Sequence, residues 1–244
     1  MTDLSLILAL YEEGPTLPDS LQRIVKELER LPWTWEIILV DDGSTDDSRL
    51  RADQFAAQHP DQIRASHHDT NRGRGAAVAN GLRIASGTVA GYLDVDLEIS
   101  ESVIEPCVVP ILFEGYDASL GERTYRLRPR SWFRHLLSRG YAVIVRALVA
   151  TSIRDTESGC KWFRRDSILP ILDHVQSEGW FFDTEIMVLA ERAGLSISQI
   201  PVTYSRRFDK ASTVKPLKDS LSSFRQLFDL RRRLKRQGDP PPSQ

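Results

Sequence analysis

Three mainly apolar runs of strand length, Leu4–Leu10, Trp35–Val40 and Thr88–Leu93, in which Ser5, Glu36 and Thr88 are the polar residues, constrain the fold of this chain more than any other feature. Near-continuous apolar runs suit strands buried on both faces, as in parallel sheets covered by helices. The segments between them agree. Leu17, Leu21, Ile24, Val25 and Leu28 recur at helical spacing and predict a helix over Thr16–Leu31. Further helices are expected at about Asp46–Gln58, Gly75–Ala85 and Ser100–Glu114, with short strands at Ile63–His67 and Asp117–Gly121. Such alternation predicts an α/β protein with a mostly parallel, doubly wound central sheet flanked by helices. Ligands of such sheets bind beyond the carboxyl ends of the strands. The second half reads as helical at Trp132–Ser152, Asp183–Ala193 and Pro216–Gln237, with a late strand at Ser196–Tyr204.

The chain has 244 residues, 41% hydrophobic and 27% charged, enough for one well-cored globular domain. A net charge of -2 argues against general nucleic-acid binding. Two cysteines, Cys107 and Cys160, make neither a metal motif nor a disulfide framework, so a reducing, cytoplasmic compartment is expected. The N-terminus lacks the basic region of a signal peptide, and no apolar run approaches the roughly 20 residues that span a bilayer. Any membrane contact is therefore expected from one side only. Residues 1–214 are expected to form the main domain, 215–237 an amphipathic basic helix, and 238–244, with Pro240-Pro241-Pro242, a disordered tail.

Two strand ends are acidic: Val40-Asp41-Asp42-Gly43-Ser44, and Asp94-Val95-Asp96-Leu97-Glu98. Read alone, each is a turn with a helix cap. Carboxylates one residue apart also offer oxygen ligands to a divalent cation, which can hold a diphosphate. Two acids beside Leu93 and Leu97 are costly unless a cation or donor compensates them. Between these ends, Asn71-Arg72-Gly73-Arg74-Gly75 could bind phosphate through backbone N–H groups at a helix start, helped by two cations. It matches neither the Walker loop nor the Rossmann fingerprint. Asp155 to Asp166 reads as a charged loop that Trp162-Phe163 anchors to the core, holding Asp155 in place. Asp183 and Glu185 fall in the first turn of a helix, where its dipole alone would favour acids.

Between Arg123 and Arg139 there are six arginines (123, 126, 128, 130, 134 and 139) and no acid, running into Trp132-Phe133 and Leu136-Leu137. Basic residues beside aromatics and aliphatics describe a helix lying in a membrane interface. The C-terminal helix repeats the theme, with Leu217, Leu221, Phe224, Leu227 and Phe228 on one side and Arg231-Arg232-Arg233-Leu234-Lys235-Arg236 at its end. Packing of that helix on the core or on another subunit is the competing explanation.

The order Tyr11-Glu12-Glu13, Val40 to Ser44, Asn71 to Gly75, Asp94-x-Asp96, Gly121-Glu122-Arg123, Ser138-Arg139-Gly140, Asp155-Thr156-x-x-Gly159-x-Lys161 and Phe182-Asp183-x-Glu185 resembles family 2 glycosyltransferases of the GT-A fold. Within them it is most similar to the polyprenyl-phosphate glycosyltransferases, such as dolichol-phosphate mannosyltransferase. The likeness runs from about Leu4 to Val214. The resemblance implies that Ala9, Tyr11 and Glu13 flank the nucleotide base and ribose, with Asp41 or Asp42, next to Val40, reading the base. Arg74 and Gly75, with Asp94 and Val95, complete the nucleotide-sugar site, and Asp94, Asp96 and Glu98 hold Mg²⁺ or Mn²⁺. Arg123 and Arg139 face the acceptor phosphate, and Arg207 faces the donor diphosphate or the acceptor. The sequence departs from the family pattern at Ala9 (usually Pro), Glu12 (usually Asn), Arg74 (commonly Lys), Lys210 (usually Gly) and Thr213 (usually Lys).

The expected reaction is inverting transfer of a hexose from a GDP- or UDP-sugar to a polyprenyl phosphate by a peripheral protein on the cytoplasmic membrane face, with a possible oligomer or membrane-anchored partner. A phosphate acceptor, largely dianionic at neutral pH, needs positioning by cations rather than a base. A soluble hydroxyl acceptor would need one, for which Asp155 and Glu185 are the candidates. A non-catalytic nucleotide-sugar-binding subunit is the remaining alternative, against which Asp94 and Asp96 argue.

Overall fold

A computed structural model describes residues 2–125, 144–205 and 216–237, apart from the side chains of 125, 216–222 and 237. Seven strands form one sheet: β1 (Leu4–Leu10), β2 (Trp35–Asp41), β3 (Ile63–His67), β4 (Val89–Leu93), β5 (Ala118–Tyr125), β6 (Cys160–Arg164) and β7 (Ile197–Tyr204), in the order β3-β2-β1-β4-β6-β5-β7. β1 pairs in parallel with β2 and β4, β2 with β3, and β5 with β7. Only β6 is antiparallel to its neighbours, β4 and β5. The apolar runs account for the centre, since β2 and β4 are buried throughout and β1 nearly so. Each such leucine or isoleucine contributes about 1.5–3 kcal/mol on burial.

Helices cover both faces. On one lie α1 (Leu17–Leu28) and α4 (Ile104–Phe113), packed through Leu17, Leu21, Ile24, Leu28, Ile104, Val108 and Ile111, with α2 (Ser48–Gln58) contributing Ala52. On the other lie α3 (Arg74–Ile84), α5 (Arg165–Leu172), α6 (Phe182–Arg192) and α7 (Pro216–Gln237). α3 approaches the sheet closely through small residues, and a Cβ on its Gly81 would fall 2.4 Å from Ile7. At the amino edge the buried Glu36 carboxylate ties β2 to Ser5, Ser86 and Arg64 at 2.6–2.7 Å.

The parallel frame emerges as expected, with two differences. Asp155–Asp166 is not all loop: Cys160–Arg164 is a fully integrated strand and α5 follows at once. Trp162 and Phe163, both fully buried, are core residues of that strand. β5 also runs beyond Gly121 to Tyr125, because β7 pairs with it over its whole length. α7 packs on the core through Leu227 and Leu230, both fully buried, and Leu234, while Phe228 stays half-exposed. Of the expected helix at Trp132–Ser152, residues 144–149 are described and are helical. Residues 150–152 are described and are not helical, so the helix ends before Ser152, whereas residues 132–143, with Arg139, Arg207 and the tail from 238, lie outside the described residues.

Candidate active site

The carboxyl ends of β1, β2 and β4 bring three acidic segments to one edge. β1 and β2 pair Ala9 with Val40 and Leu10 with Asp41, so the turns carrying Tyr11 to Glu13 and Asp42 to Asp46 face each other. Side chains stitch them together. Ser44 Oγ accepts from the Glu12 N–H (3.0 Å), Ser48 Oγ from the Glu13 N–H (2.7 Å) and Glu12 Oε1 from the Thr45 N–H (2.8 Å). Tyr11 projects beyond β1 with its ring exposed.

Asp41 and Asp42, left open as alternatives by the sequence, have different surroundings. Both Asp42 oxygens are engaged: Oδ1 with the Arg72 N–H (3.0 Å) and His68 Nδ1 (2.7 Å), Oδ2 with the Gly73 N–H (2.8 Å). Asp42 thus braces the Gly-rich stretch. Asp41 is fully buried, and its Oδ1 has no hydrogen-bond partner among the described residues. The expected phosphate cradle at Asn71–Gly75 is corrected accordingly. Two of its N–H groups serve Asp42, Arg72 pairs with Glu178 at 2.6 Å, and Gly75 packs against Phe182.

Arg74, the other expected cation, enters the acid cluster. Its Nε and Nη2 both donate to Asp94 Oδ1, at 2.9 and 2.6 Å, and Nη1 donates to Asp183 Oδ2 at 2.8 Å. Asp183 Oδ1 accepts from Tyr92 Oη (2.5 Å) and Lys161 Nζ (3.1 Å). Burial opposes the Arg74 charge, yet Asp183 and Asp94 outweigh it and hold the guanidinium more firmly protonated than usual. Burial pushes the Lys161 ammonium down and the Tyr92 phenol up. The sequence places Lys161 and Asp183 in the shared motifs without a site role and does not point to Tyr92. A lysine between apolar neighbours at a strand start was the available signal, because a buried charge needs a partner.

Asp94 and Asp96 end β4 in a tight turn closed by the Leu97 N–H on Asp94 O (3.1 Å), with Leu97 at φ +52° and Val95 buried between the acids. Gly159 lies directly against Asp94: a Cβ there would fall 1.8 Å from Oδ2. Burial, followed by the Asp94 charge, pushes the Asp96 carboxyl up to about 6. Glu98 turns elsewhere. Its Oε2 accepts from the Tyr204 hydroxyl, and its carbonyl accepts from the Ser205 N–H at 2.7 Å, tying the turn to the end of β7.

Among the described residues no three His, Cys, Asp or Glu side chains form a ready metal cage. Of the expected trio, Asp94 and Asp96 share one turn, with Arg74 on one Asp94 oxygen, and Glu98 bonds Tyr204. The pair nonetheless fits a hard divalent cation, which needs only one or two carboxylates when phosphates and water complete its shell. Burial first, and then the Asp94 charge, raise the Asp96 carboxyl, and a cation shared by the two acids would offset the second effect.

Arg123, in β5, lies over the Tyr204 ring at 5.7 Å and bonds Asp155 through Nε and Nη2, each at 2.7 Å. Burial works to raise the Asp155 carboxyl, but Arg123 prevails and lowers it. Glu185, two residues along α6 from Asp183 and so on the other side of the helix, does not join the cluster. Its buried carboxylate accepts from the N–H groups of Gln176 (3.2 Å) and Ser177 (2.7 Å) and from Arg233 of α7. The expected base at this position is an internal anchor.

This sheet, with paired acids at the end of β4, is the GT-A fold of nucleotide-diphospho-sugar transferases. Mannosyl-3-phosphoglycerate synthase from Rubrobacter xylanophilus superposes with a TM-score of 0.71 at 19% identity, covering 97% of this chain and 75% of that one. Glucosyl-3-phosphoglycerate synthase from Mycobacterium tuberculosis gives 0.68 at 20% identity, covering 98% and 81%. The family model for glycosyl transferase family 2 matches residues 5–171, and the chain belongs to that family. Glycosyltransferase AglD of Haloferax volcanii is 33% identical over 211 residues, covering 85% of this chain and 34% of that protein. The dolichyl-phosphate beta-glucosyltransferase of Saccharomyces cerevisiae is 30% identical over 222 residues, covering 82% and 66%. The chain thus spans about a third of the archaeal relative and about two thirds of the yeast one.

Proposed function

We propose that the chain is an inverting glycosyltransferase that moves a hexose from a nucleoside-diphosphate sugar to a polyprenyl phosphate. One observation carries the choice of acceptor: the two carboxylates available as a base for a hydroxyl acceptor, Asp155 and Glu185, are each tied to an arginine. A phosphate monoester brings its own anionic nucleophile and needs no base. Its oxygen attacks the anomeric carbon in line as the bond to the donor diphosphate breaks, and the electron pair leaves with the nucleoside diphosphate. The names of the yeast and human relatives, dolichyl-phosphate beta-glucosyltransferases, support the same acceptor class.

Asp94 and Asp96 are the residues that would hold Mg²⁺ or Mn²⁺, which neutralises charge gathering on the leaving diphosphate. The Mycobacterium tuberculosis neighbour was crystallised with Mn²⁺ and uridine diphosphate, which favours UDP-sugars over GDP-sugars here. Tyr11 and Asp41 are assigned to the nucleotide end of the site and Arg74 to the diphosphate. Arg123, with Arg139 and Arg207, is assigned to the acceptor phosphate and donor diphosphate. No helix among the described residues is long and apolar enough to cross a membrane. Arg225, Arg232, Lys235 and Arg236 are exposed on α7 and suit contact with anionic lipid, each contributing about 1 kcal/mol near the surface. We assign the chain to the cytoplasmic membrane face on this basis, alone or with a membrane-anchored partner.

The test is incubation with Mn²⁺, a short polyprenyl phosphate and a panel of UDP- and GDP-sugars, followed by mass spectrometry of the lipid fraction, with Asp96→Ala as control. A glycosyl-phosphoryl lipid absent from the mutant reaction is expected. Metal-dependent donor hydrolysis without lipid product would keep the donor site and sink the acceptor.

A further inference from the structure

Arg74 occupies an unusual position for a residue at a nucleotide-sugar site. Every nitrogen of its guanidinium is already used by acids of the chain: Nε and Nη2 on Asp94 Oδ1, Nη1 on Asp183 Oδ2. The side chain is only 12% exposed and lies against the rings of Tyr92 and Trp180, at 5.4 and 5.5 Å. Its backbone is fixed as well. The preceding Gly73 has φ +113°, and a Cβ there would fall 2.4 Å from Glu178 O, so the entry to α3 admits little adjustment. Asp183 cannot yield easily, because Tyr92 and Lys161 hold its other oxygen. A unit positive charge is therefore built in beside the first acid of the pair that fits a divalent cation.

Electrostatics then gives opposite results for a bare cation and for a cation arriving with a diphosphate. Against a bare divalent ion, the guanidinium repels and already satisfies Asp94, at separations well inside the roughly 8 Å screening length of physiological salt. Against a cation carrying the diphosphate of a sugar nucleotide, whose two negative charges cancel those of the cation, the repulsion is lifted, and against a cation with a free nucleoside diphosphate, which is negative overall, the same guanidinium attracts. No movement of Arg74 is required.

We propose that Arg74 is a resident counter-ion that couples metal binding to donor binding: it suppresses capture of a free divalent cation by Asp94 and Asp96 and favours capture of the cation together with the diphosphate. This rests on the donor-site reading given above and specifies how that site is loaded. Asp183, with Lys161 and Tyr92, acts as the positioning group that keeps the guanidinium on Asp94.

The test is Mn²⁺ binding to the full chain, followed by electron paramagnetic resonance of free Mn²⁺, alone and with UDP or GDP. In the unchanged protein either the uridine or the guanosine nucleotide is expected to tighten Mn²⁺ at least tenfold. Arg74→Met is expected to bind Mn²⁺ alone at least tenfold more tightly than the unchanged protein, and the nucleotide effect is expected to shrink below threefold. Arg74→Lys keeps the charge without the fork and is expected to retain most of the coupling. Arg74→Gln still offers Asp183 a donor and replaces the methionine variant should circular dichroism show that variant unfolded. Folded neutral variants that bind Mn²⁺ no more tightly, or keep the full nucleotide effect, overturn the proposal and leave the donor site standing. Absence of Mn²⁺ binding in every form, with or without nucleotide, overturns both.

Discussion

Arg123 grips Asp155 as a fork: Nε donates to Oδ2 and Nη2 to Oδ1, both at 2.7 Å, and the Arg123 backbone N–H adds a bond to Oδ2 at 3.0 Å. The pair joins β5 to the loop that leads into β6, with each side chain about 15% exposed. Charge-assisted, two-pronged contacts of this kind are the strong ones.

Asp155→Asn is expected to cost about 2 kcal/mol of stability, since it removes charged hydrogen bonds that are partly shielded from water. For a chain of this size that is a fall of roughly 4–8 °C in Tm. The folded-state carboxyl is lowered, so its contribution is fully present above the ordinary aspartate value of about 3.9 and disappears as pH falls through the lower folded value. Thermal melts of both proteins between pH 2 and 7 measure this. The wild-type advantage should vanish at the acid end, and an advantage that persisted there would refute the ionic origin.

Asp96 has the opposite sign. Burial and the Asp94 charge raise its carboxyl to about 6, so the folded protein keeps a proton that the unfolded chain releases above about 4. Without metal, folding stability therefore declines as pH rises from about 4 to 6. Asp96→Asn is expected to stabilise the metal-free protein at pH 7.5 by about 1 kcal/mol, after allowance for solvent screening, while abolishing transfer. Calorimetry at pH 5.5 in buffers of different ionisation heat should also record proton release when Mn²⁺ and nucleotide bind. A destabilised variant, or equal heats in all buffers, contradicts the assignment.

Gly159→Ala tests the close approach of β6 to the acid pair. The added carbon would fall 1.8 Å from Asp94 Oδ2, and one of the two must move. Misplacement of a reacting group by about 1 Å can cost roughly a hundredfold in rate, and a loss of that order in kcat/KM is expected. Asp94 is partly exposed and can give way, so Tm should change far less than activity. Full activity in Gly159→Ala would remove Asp94 from the chemistry.

Arg233→Ala leaves the Glu185 carboxylate buried without its cation. Breaking such a pair from one side costs about 3 kcal/mol. Hydrogen exchange is expected to quicken in α7 and at the Gln176 and Ser177 amides, which share Glu185 with Arg233. Unchanged exchange at 176–177 would mean that Glu185 does not transmit the loss.

The frame was legible because buried parallel strands write themselves as continuous apolar runs, and Leu4–Leu10 and Trp35–Val40 could be little else. Cys160–Arg164 was not legible as a strand: Cys-Lys-Trp-Phe-Arg alternates too little, and Lys161 disguises a fully buried position. Its charge is tolerated only because Asp183, distant in sequence, lies 3.1 Å away. The acid pair at the end of β4 was visible from its spacing. Which partner each acid meets was not, because Asp94, Glu98, Asp155 and Glu185 are each claimed across the fold, by Arg74, Tyr204, Arg123 and Arg233. Asp42 likewise reads as a ligand contact until its three bonds to His68, Arg72 and Gly73 are known.

The reversed direction of β6 has a consequence for how such proteins diversify. β5 ends at Tyr125 and β6 begins at Cys160, and because the two strands run oppositely, both points lie at the same edge of the sheet as Asp94 and Asp96. The chain leaves the sheet and re-enters it beside the donor site, with its departure and return fixed by strand pairing. The return is fixed further by the buried Val145, Val149 and Ile153, by Asp155 on Arg123 and by Gly159 against Asp94, so a change of length earlier in the connection need not shift the register of β4, β5 or β6. The edge that carries Asp94 and Asp96 can thus keep its geometry while the stretch that begins just beyond Arg123 differs in length.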